Sequence, residues 1–224
     1  MRVRVPMPLT RHELRALYRK RAKRYDFTSN LYYLVGFRMG AFRKKAVAAL
    51  RVRPGDTVVE IGCGTGLNFS LLHEAVGPSG KIIGVDMTDA MLYQAKQRIV
   101  ERGWSNVELV QSDAASYEFP PAVGGVISTF ALAHVPQFDD VIRRGAAALS
   151  PGKQWVVAEL KLPTGWIRHL APVALPFIRP FGVTLDMADR RPWESMQRYL
   201  EDVTVAEFYL GSAYIANGGA RVTH

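Results

Sequence analysis

What the chain lacks narrows the field first. Among 224 residues there is one cysteine, Cys63, so no internal disulfide can form and the chain suits a reducing compartment. No uncharged apolar run approaches the roughly 18 residues of a membrane-spanning helix. The greasiest stretch, 163–183, keeps only ten uncharged residues between Arg168 and Arg179. The opening Met1-Arg2-Val3-Arg4-Val5-Pro6 is not followed by an apolar segment, which argues against a secretory leader. The five histidines are scattered without ligand spacing, so no metal is expected. There is no internal repeat, and no interleaving of aromatic and basic residues that would make a base-stacking platform for RNA.

Acidic residues are scarce in one region only. Residues 1–53 carry 15 Lys or Arg against Glu13 and Asp26, whereas the remainder holds 14 against 18, so the net charge of +9 is an N-terminal property. Such a block suits an anionic leaflet or a nucleic acid; a merely solvated face is the plain alternative. From Thr10 to Phe27, Leu14, Leu17, Tyr18, Ala22 and Tyr25 recur at helical spacing among arginines and lysines, and Thr10 with Glu13 forms a capping box. A second helical segment runs over about 31–50. The reading is a basic helical extension or lid over residues 1–53, followed by one domain over 54–224. An apolar composition of 48% is ample for its core.

That domain is organised around Val58-Val59-Glu60-Ile61-Gly62-Cys63-Gly64-Thr65-Gly66. A β-branched run ends beside an acidic residue, passes through three alternate glycines and meets a helical pattern at Leu67. Glycines let the main chain take unusual φ values and come close to a ligand, and the next helix offers unpaired N–H groups. A dinucleotide fingerprint would place its third glycine at position 67, so a pyrophosphate is disfavoured. Cys63 reads as a small loop residue, having no base partner beside it in sequence. Further strands are expected at 81–85, 107–110, 125–130 and 154–160, with helices at about 90–102 and 138–149 and a turn at 150–152. This alternation predicts a doubly wound parallel α/β sheet, with ligands at strand carboxyl ends. Asp86 ends the second strand about twenty residues past the glycines, where a carboxylate accepts ribose hydroxyls. Residues 163–183, broken by Pro172, Pro176 and Pro180, read as an apolar cap, part of an insertion of about 163–200; lining a greasy pocket or dipping into a membrane interface is favoured over ordinary packing. A helix follows from Arg191 to about Leu200, then strands at 203–210 and 212–217, with fraying from Gly218.

The alternating glycines after an acidic strand end resemble motif I of the class I S-adenosylmethionine-dependent methyltransferases, and the landmarks over 58–135 stay in register with that family. The resemblance implies a seven-stranded, mostly parallel Rossmann-like sheet closed by an antiparallel C-terminal hairpin, with S-adenosyl-L-methionine as cofactor. It places Glu60, Gly62, Cys63, Gly64, Gly66, Asp86, Met87, Asp113, Ala114, Thr129 and Phe130 around that cofactor, with Asp113 at the adenine amino group. Tyr25, in the Tyr25-Asp26 pair, matches a tyrosine that closes over it, core packing being the alternative. His134 is a base, a substrate contact or a packed histidine; Tyr25 and His134 are the catalytic candidates, as positioning groups.

At its two ends the chain resembles the bacterial phospholipid and betaine-lipid N-methyltransferases, through the basic Tyr-Asp helix, Pro192-Trp193-Glu194 and Tyr209 to Ala216. That implies an amine acceptor such as phosphatidylethanolamine, with Tyr18, Trp193, Tyr199, Tyr209 and Tyr214 as substrate contacts, and a cytoplasmic enzyme held at an anionic membrane surface. The rival is a C- or O-methyltransferase of a quinone or another apolar molecule. Other classes are an RNA-binding or RNA-modifying protein and a non-catalytic cofactor-binding regulator.

Overall fold

The computed structural model describes residues 37–161 and 190–221, together with the helical positions Glu13, Ala16 and Arg19. Helix α1 (Met39–Ala49) leads into β1 (Thr57–Ile61), α2 (Phe69–Val76), β2 (Lys81–Asp86), α3 (Asp89–Arg102) and β3 (Val107–Gln111). Then come β4 (Val123–Thr129), a short 3₁₀ turn (Leu132–His134), α4 (Phe138–Ala148) and β5 (Leu149–Leu160). Helix α5 (Pro192–Tyr199) and the strands β6 (Glu201–Phe208) and β7 (Ala213–Gly219) complete the described chain.

The seven strands form one sheet in the order β3-β2-β1-β4-β5-β7-β6. The pairs β3/β2, β2/β1, β1/β4 and β4/β5 are parallel, and β7 runs antiparallel to both β5 and β6. The expected doubly wound sheet with a terminal antiparallel hairpin is therefore present. Its central strands are near-continuous apolar runs, as strands covered on both faces must be. In β4 every residue from Val123 to Thr129 is buried. Alternation sorts neighbours to opposite layers: Val58 and Val156 join Phe42, Leu72 and Ile99 on one face, while Val59 and Val157 join Ile142, Met196 and Tyr214 on the other.

The chain order turns around at β1 and β4, adjacent strands whose helical connections leave toward opposite edges of the sheet. Loops diverge at such a point and leave a crevice above the strand carboxyl ends. Everything the site needs is delivered there.

Several boundaries differ from those the sequence suggests. The helix expected over 31–50 is described from Met39, and the fourth strand begins at Val123 and stops at Thr129. The turn expected at 150–152 lies inside β5 as an irregularity, with a register shift opposite Val123 and Gly125, and Gly152 takes φ +72°. Fraying from Gly218 is overturned. Gly218 and Gly219 are buried, pair with Trp155 and Gln154, and are followed by an Ala220 N–H donated to the Lys153 carbonyl at 2.8 Å. Leu200 and Val203 press on Gly218 so closely that a Cβ would stand 2.7 Å from Val203, so the glycine is needed for strand packing. Among the described residues no helix is long and apolar enough to cross a membrane. The capping residue Thr10 and the apolar cap at 163–183 lie outside the described residues, as do most of the basic residues of the extension.

Trp155, fully buried on β5, is seated against Gly145 of α4: a Cβ there would lie 2.1 Å from the indole. Gly145→Ala must displace the ring or the helix, an overpacking cost of about 1–3 kcal/mol. Urea denaturation is expected to show a lowered midpoint with an unchanged slope.

Candidate active site

The pocket lies over the carboxyl ends of β1, β2, β3 and β4. Its floor is the glycine loop after β1, and the three glycines there serve three different needs. Gly62, at φ +70°, passes so near the loop after β4 that a Cβ would stand 2.2 Å from the Cβ of Ala131. Gly64, at φ +55°, has nothing within 4 Å of where its Cβ would be, so bare main chain faces the open pocket. At Gly66 a Cβ would strike the Phe69 ring at 2.5 Å, which keeps α2 tight against the loop. Arg98 of α3 donates to the Thr65 carbonyl and ties the loop to the next helix.

Asp86 closes one wall. Its Oδ2 accepts the Gly64 N–H at 2.9 Å and its Oδ1 accepts the Thr88 N–H at 2.8 Å. Burial pushes the carboxyl above its ordinary range, while these N–H donors work in the opposite direction. Each carboxylate oxygen has two acceptor sites. Asp86 is thereby fixed in orientation with acceptor capacity left for a ligand. Asp113, after β3, is shaped by its own turn, its Oδ1 accepting the Ala115 N–H at 2.9 Å.

The opposite wall rises from β4 and α1. Phe130 follows Thr129 in a left-handed conformation, φ +57°, and donates its N–H to the Ala158 carbonyl at 2.9 Å. A bulky residue rarely adopts that φ, and here it turns the chain off the strand into the pocket rim. Beneath it is a buried polar chain. Arg43 Nη1 donates to Thr129 Oγ1 at 2.7 Å and to Asn68 Oδ1 at 3.1 Å, and Asn68 Nδ2 donates to Glu60 Oε1 at 2.6 Å. Burial raises the Glu60 carboxyl to about 7, with the Arg43 charge and the Asn68 hydrogen bond pulling it down.

The loop 131–135 completes the rim. Ala133 is held from both sides: its N–H is donated to Glu159 Oε1 at 3.2 Å, and its carbonyl accepts Arg190 Nη1 at 2.5 Å. Burial lifts the Glu159 carboxyl to about 7, against the loop N–H groups. His134 faces the pocket, and burial followed by the Arg190 charge holds its imidazole down at about 4.

Of the residues expected from sequence, Gly62, Cys63, Gly64, Asp86, Met87, Asp113, Ala114, Thr129, Phe130 and His134 line this one pocket. Glu60 and Gly66 do not: Glu60 is 1% exposed and braces the wall from behind through Asn68, and Gly66 seats Phe69. The buried Cys63 thiol is pushed well up by burial, then by Asp86 and Glu60, which removes the nucleophilic reading.

Four of the aromatic substrate candidates stand apart from the described pocket. Tyr214 is buried in the core edge-on to Trp193, with ring centroids 4.7 Å apart, and Tyr199 donates its hydroxyl to Asp139 Oδ2 at 2.9 Å. Tyr209 stacks on Phe37 at 4.1 Å. None of these, nor Trp193, lines the described pocket: strand alternation and helix face turn Tyr214, Tyr199 and Trp193 elsewhere, and Tyr209 sits in the turn after β6. Tyr18 and Tyr25 lie outside the described residues. Arg19 of the basic extension makes a two-pronged pair with Asp89, at 2.7 and 2.6 Å, two residues beyond Met87 of the rim.

Sequence reading missed Arg43 and Asn68. Arg43 shares the buried stripe of α1 with Met39, Phe42, Ala46 and Val47. A charge at an apolar-stripe position was the available signal.

The residues fit S-adenosylmethionine. Carboxylates stand at the β2 and β3 ends for an adenosine, the left-handed Gly64 leaves open space in the middle, and a guanidinium lies at the β4 end. Residues 58–152 match the family described as a methyltransferase domain. The chain is 28% identical over 195 residues, 82% of each chain, to the demethylmenaquinone methyltransferase of Listeria monocytogenes serotype 4a (strain HCC23). In structure it is similar to a SAM dependent methyltransferase from Aquifex aeolicus, with a TM-score of 0.64, 17% identity and 91% and 98% of the two chains covered. It is also similar to phosphoethanolamine N-methyltransferase 2 of Haemonchus contortus in complex with S-adenosyl-L-methionine, with a TM-score of 0.57, 21% identity and 73% and 38% covered. In the matched region and in fold the chain is similar to S-adenosylmethionine-dependent methyltransferases. The sequence relative carries a quinone name, not the phospholipid name expected from the two ends of the chain.

Two outcomes are expected. Asp86→Ala should weaken S-adenosylmethionine binding about 10- to 100-fold by calorimetry, the loss of a charged acceptor; unchanged affinity removes Asp86 from the site. Glu159, at 4.5 when free and about 7 in the fold, favours the folded state fully below 4.5, and this contribution is lost as pH rises through 7. The loss is on the order of 3 kcal/mol. Urea titrations of Glu159→Gln should therefore show a smaller fall in stability from pH 4.5 to 8 than the wild type shows, the part due to Glu60 remaining, and a stability above the wild type at the upper end.

Proposed function

We propose that the enzyme methylates a ring carbon of an apolar aromatic acceptor of the hydroquinol class. The observation that carries this reading is the similarity, over 82% of both chains, to a protein named for demethylmenaquinone methylation. The pocket chemistry supports it: Leu67, Met91, Phe130, Val135 and Pro136 give an apolar lining beside His134.

Bound S-adenosylmethionine supplies a methyl group already activated by its sulfonium. Transfer to the acceptor carbon would leave the ring's displaced proton and a neutral thioether as the other products. The chain's work is therefore positioning, and holding the reactants in line can contribute on the order of 7–11 kcal/mol. A quinol hydroxyl, with a pKa of about 10, would give its proton to an imidazole near 4 only at a cost of about 8 kcal/mol. His134 thus serves as a neutral hydrogen-bond acceptor that orients the hydroxyl, and the proton leaves to solvent.

The amine-lipid expectation has less support. A methylated ammonium is stabilised by open aromatic faces, yet the expected Trp193, Tyr199, Tyr209 and Tyr214 do not line the described pocket. Phe130 does, and Arg43 already stands over its ring at 5.3 Å from the centroid.

The deciding experiment offers purified enzyme and methyl-labelled S-adenosylmethionine to reduced demethylmenaquinone and, in parallel, to phosphatidylethanolamine vesicles. Label in the quinol ring carbon, located by mass spectrometry, is the expected result. Label in the lipid amine alone would overturn the proposal and restore the phospholipid reading.

A further inference from the structure

The turn between β6 and β7 is made of residues that its backbone disfavours. Gly211 donates its N–H to the Phe208 carbonyl at 3.1 Å, with Tyr209 and Leu210 between them at φ +53° and +55°. Two successive left-handed residues closed by such a bond follow the pattern of a type I′ turn, whose central positions favour Asn and Gly. Bulky side chains rarely sit there. Tyr209 is held by the chain: its ring stacks on Phe37 at 4.1 Å and its hydroxyl accepts the Arg38 N–H at 3.2 Å. Leu210 has no comparable hold. At 82% exposure it is the most exposed large apolar side chain among the described residues. Strain that displays a leucine to water gains the fold nothing, and so points to a contact outside the chain.

The surroundings of this tip select its partner. Arg38 and Lys45 are exposed and, seven residues apart, lie on one stripe of α1. Arg38 meets the turn through Tyr209, and Lys45 Nζ stands 4.8 Å from the centroid of the Phe208 ring. Neither has an acidic partner among the described residues, whereas Glu207, whose carboxylate lies beside Gly211, is paired with Lys161. Uncompensated positive charge therefore flanks the leucine. A protein interface of standard size needs about 800 Å² of fitted surface on each partner. One side chain projecting from a tight turn offers far less. It suits a fluid apolar phase behind an anionic layer, where leucine enters the acyl boundary and the Arg and Lys heads stay with lipid phosphates.

We propose that the β6–β7 turn docks on an anionic bilayer surface, with Leu210 as the inserting residue and Arg38 and Lys45 beside it at the headgroups. The position of the turn gives docking a direction. Ala213 opens β7 opposite Leu160, the last residue of β5, so the turn stands at the carboxyl ends of the parallel strands, where the pocket lies. Phe37 links the two, its ring 4.1 Å from that of Tyr209 and 6.4 Å from that of Phe130 on the rim. A docked chain then holds its pocket edge toward the bilayer. Direct passage of an apolar acceptor between them rests on the function proposed above; the docking itself does not.

The test uses the full chain, no acceptor, and vesicles of equal phosphatidylglycerol and phosphatidylcholine. A polarity-sensitive nitrobenzoxadiazole attached at Leu210→Cys is expected to shift its emission to the blue on binding; Cys63 is buried and does not compete for the label. Leu210→Gly suits the left-handed backbone, so its urea midpoint should rise while its vesicle affinity falls about 10-fold. A leucine with a merely structural role would not give that opposed pair. Arg38→Gln combined with Lys45→Gln should weaken binding by about 10-fold on these vesicles and leave phosphatidylcholine vesicles unaffected. Failure of the wild type to bind, a label that stays in water on vesicle-bound protein, or an unchanged affinity in Leu210→Gly overturns the proposal. A blue shift produced by raised protein concentration without lipid overturns it in favour of contact with a second copy.

Discussion

Two loops that leave neighbouring strands meet at Gly62 and Ala131, and the site depends on that meeting. A Cβ on Gly62 would stand 2.2 Å from Ala131, so only a glycine lets the loops after β1 and β4 close to this distance. The contact sets the depth of the crevice between diverging connections. On one side it leaves Gly64 exposing main chain to the pocket, and on the other it places Phe130 and His134 on the rim. Interiors pack densely and deform little, so a change at this point would be felt by both walls at once.

The second constraint is polar burial. Three of the carboxyl groups around the pocket, Asp86, Glu60 and Glu159, are each anchored differently. Asp86 is held by main-chain N–H groups, Glu60 by the Asn68 amide, and Glu159 by the loop it supports. Asp86 lines the cavity, whereas Glu60 and Glu159 stand behind its walls and shape them. The distinction matters for function. A residue behind a wall changes affinity through the groups it positions, and Arg43 and the 131–135 loop are those groups.

These features fit an enzyme whose contribution is alignment more than acid–base chemistry. A sulfonium methyl needs no activation by the protein, and burial with the Arg190 charge keeps the His134 imidazole neutral near pH 7. The pocket supplies a floor of bare main chain, acceptors at one end, a cation at the other and an apolar flank. Selectivity for the acceptor then falls to the flank. On the described side that flank is formed by Leu67, Met91, Phe130, Val135 and Pro136.

The fold and the donor half of the site were legible in the chain because both rest on local, periodic signals. Apolar strand runs, alternating glycines and an acidic residue at a strand end act within a few residues of themselves, and strand–helix alternation leaves few topologies. Asp86 beside Gly64 follows from parallel pairing of β1 with β2. The rest needed the third dimension. Arg43 is a residue of α1 that reaches Thr129 only because that helix packs across the sheet, while Tyr214 and Tyr199 stand apart from the described pocket through strand alternation and helix face, and Tyr209 through the turn that stacks it on Phe37. Sequence by itself determined which strand ends carry a ligand, since that is written in short-range pattern. Only tertiary structure decided which distant side chains face it, because contacts between elements depend on their packing and leave no periodic trace along the chain.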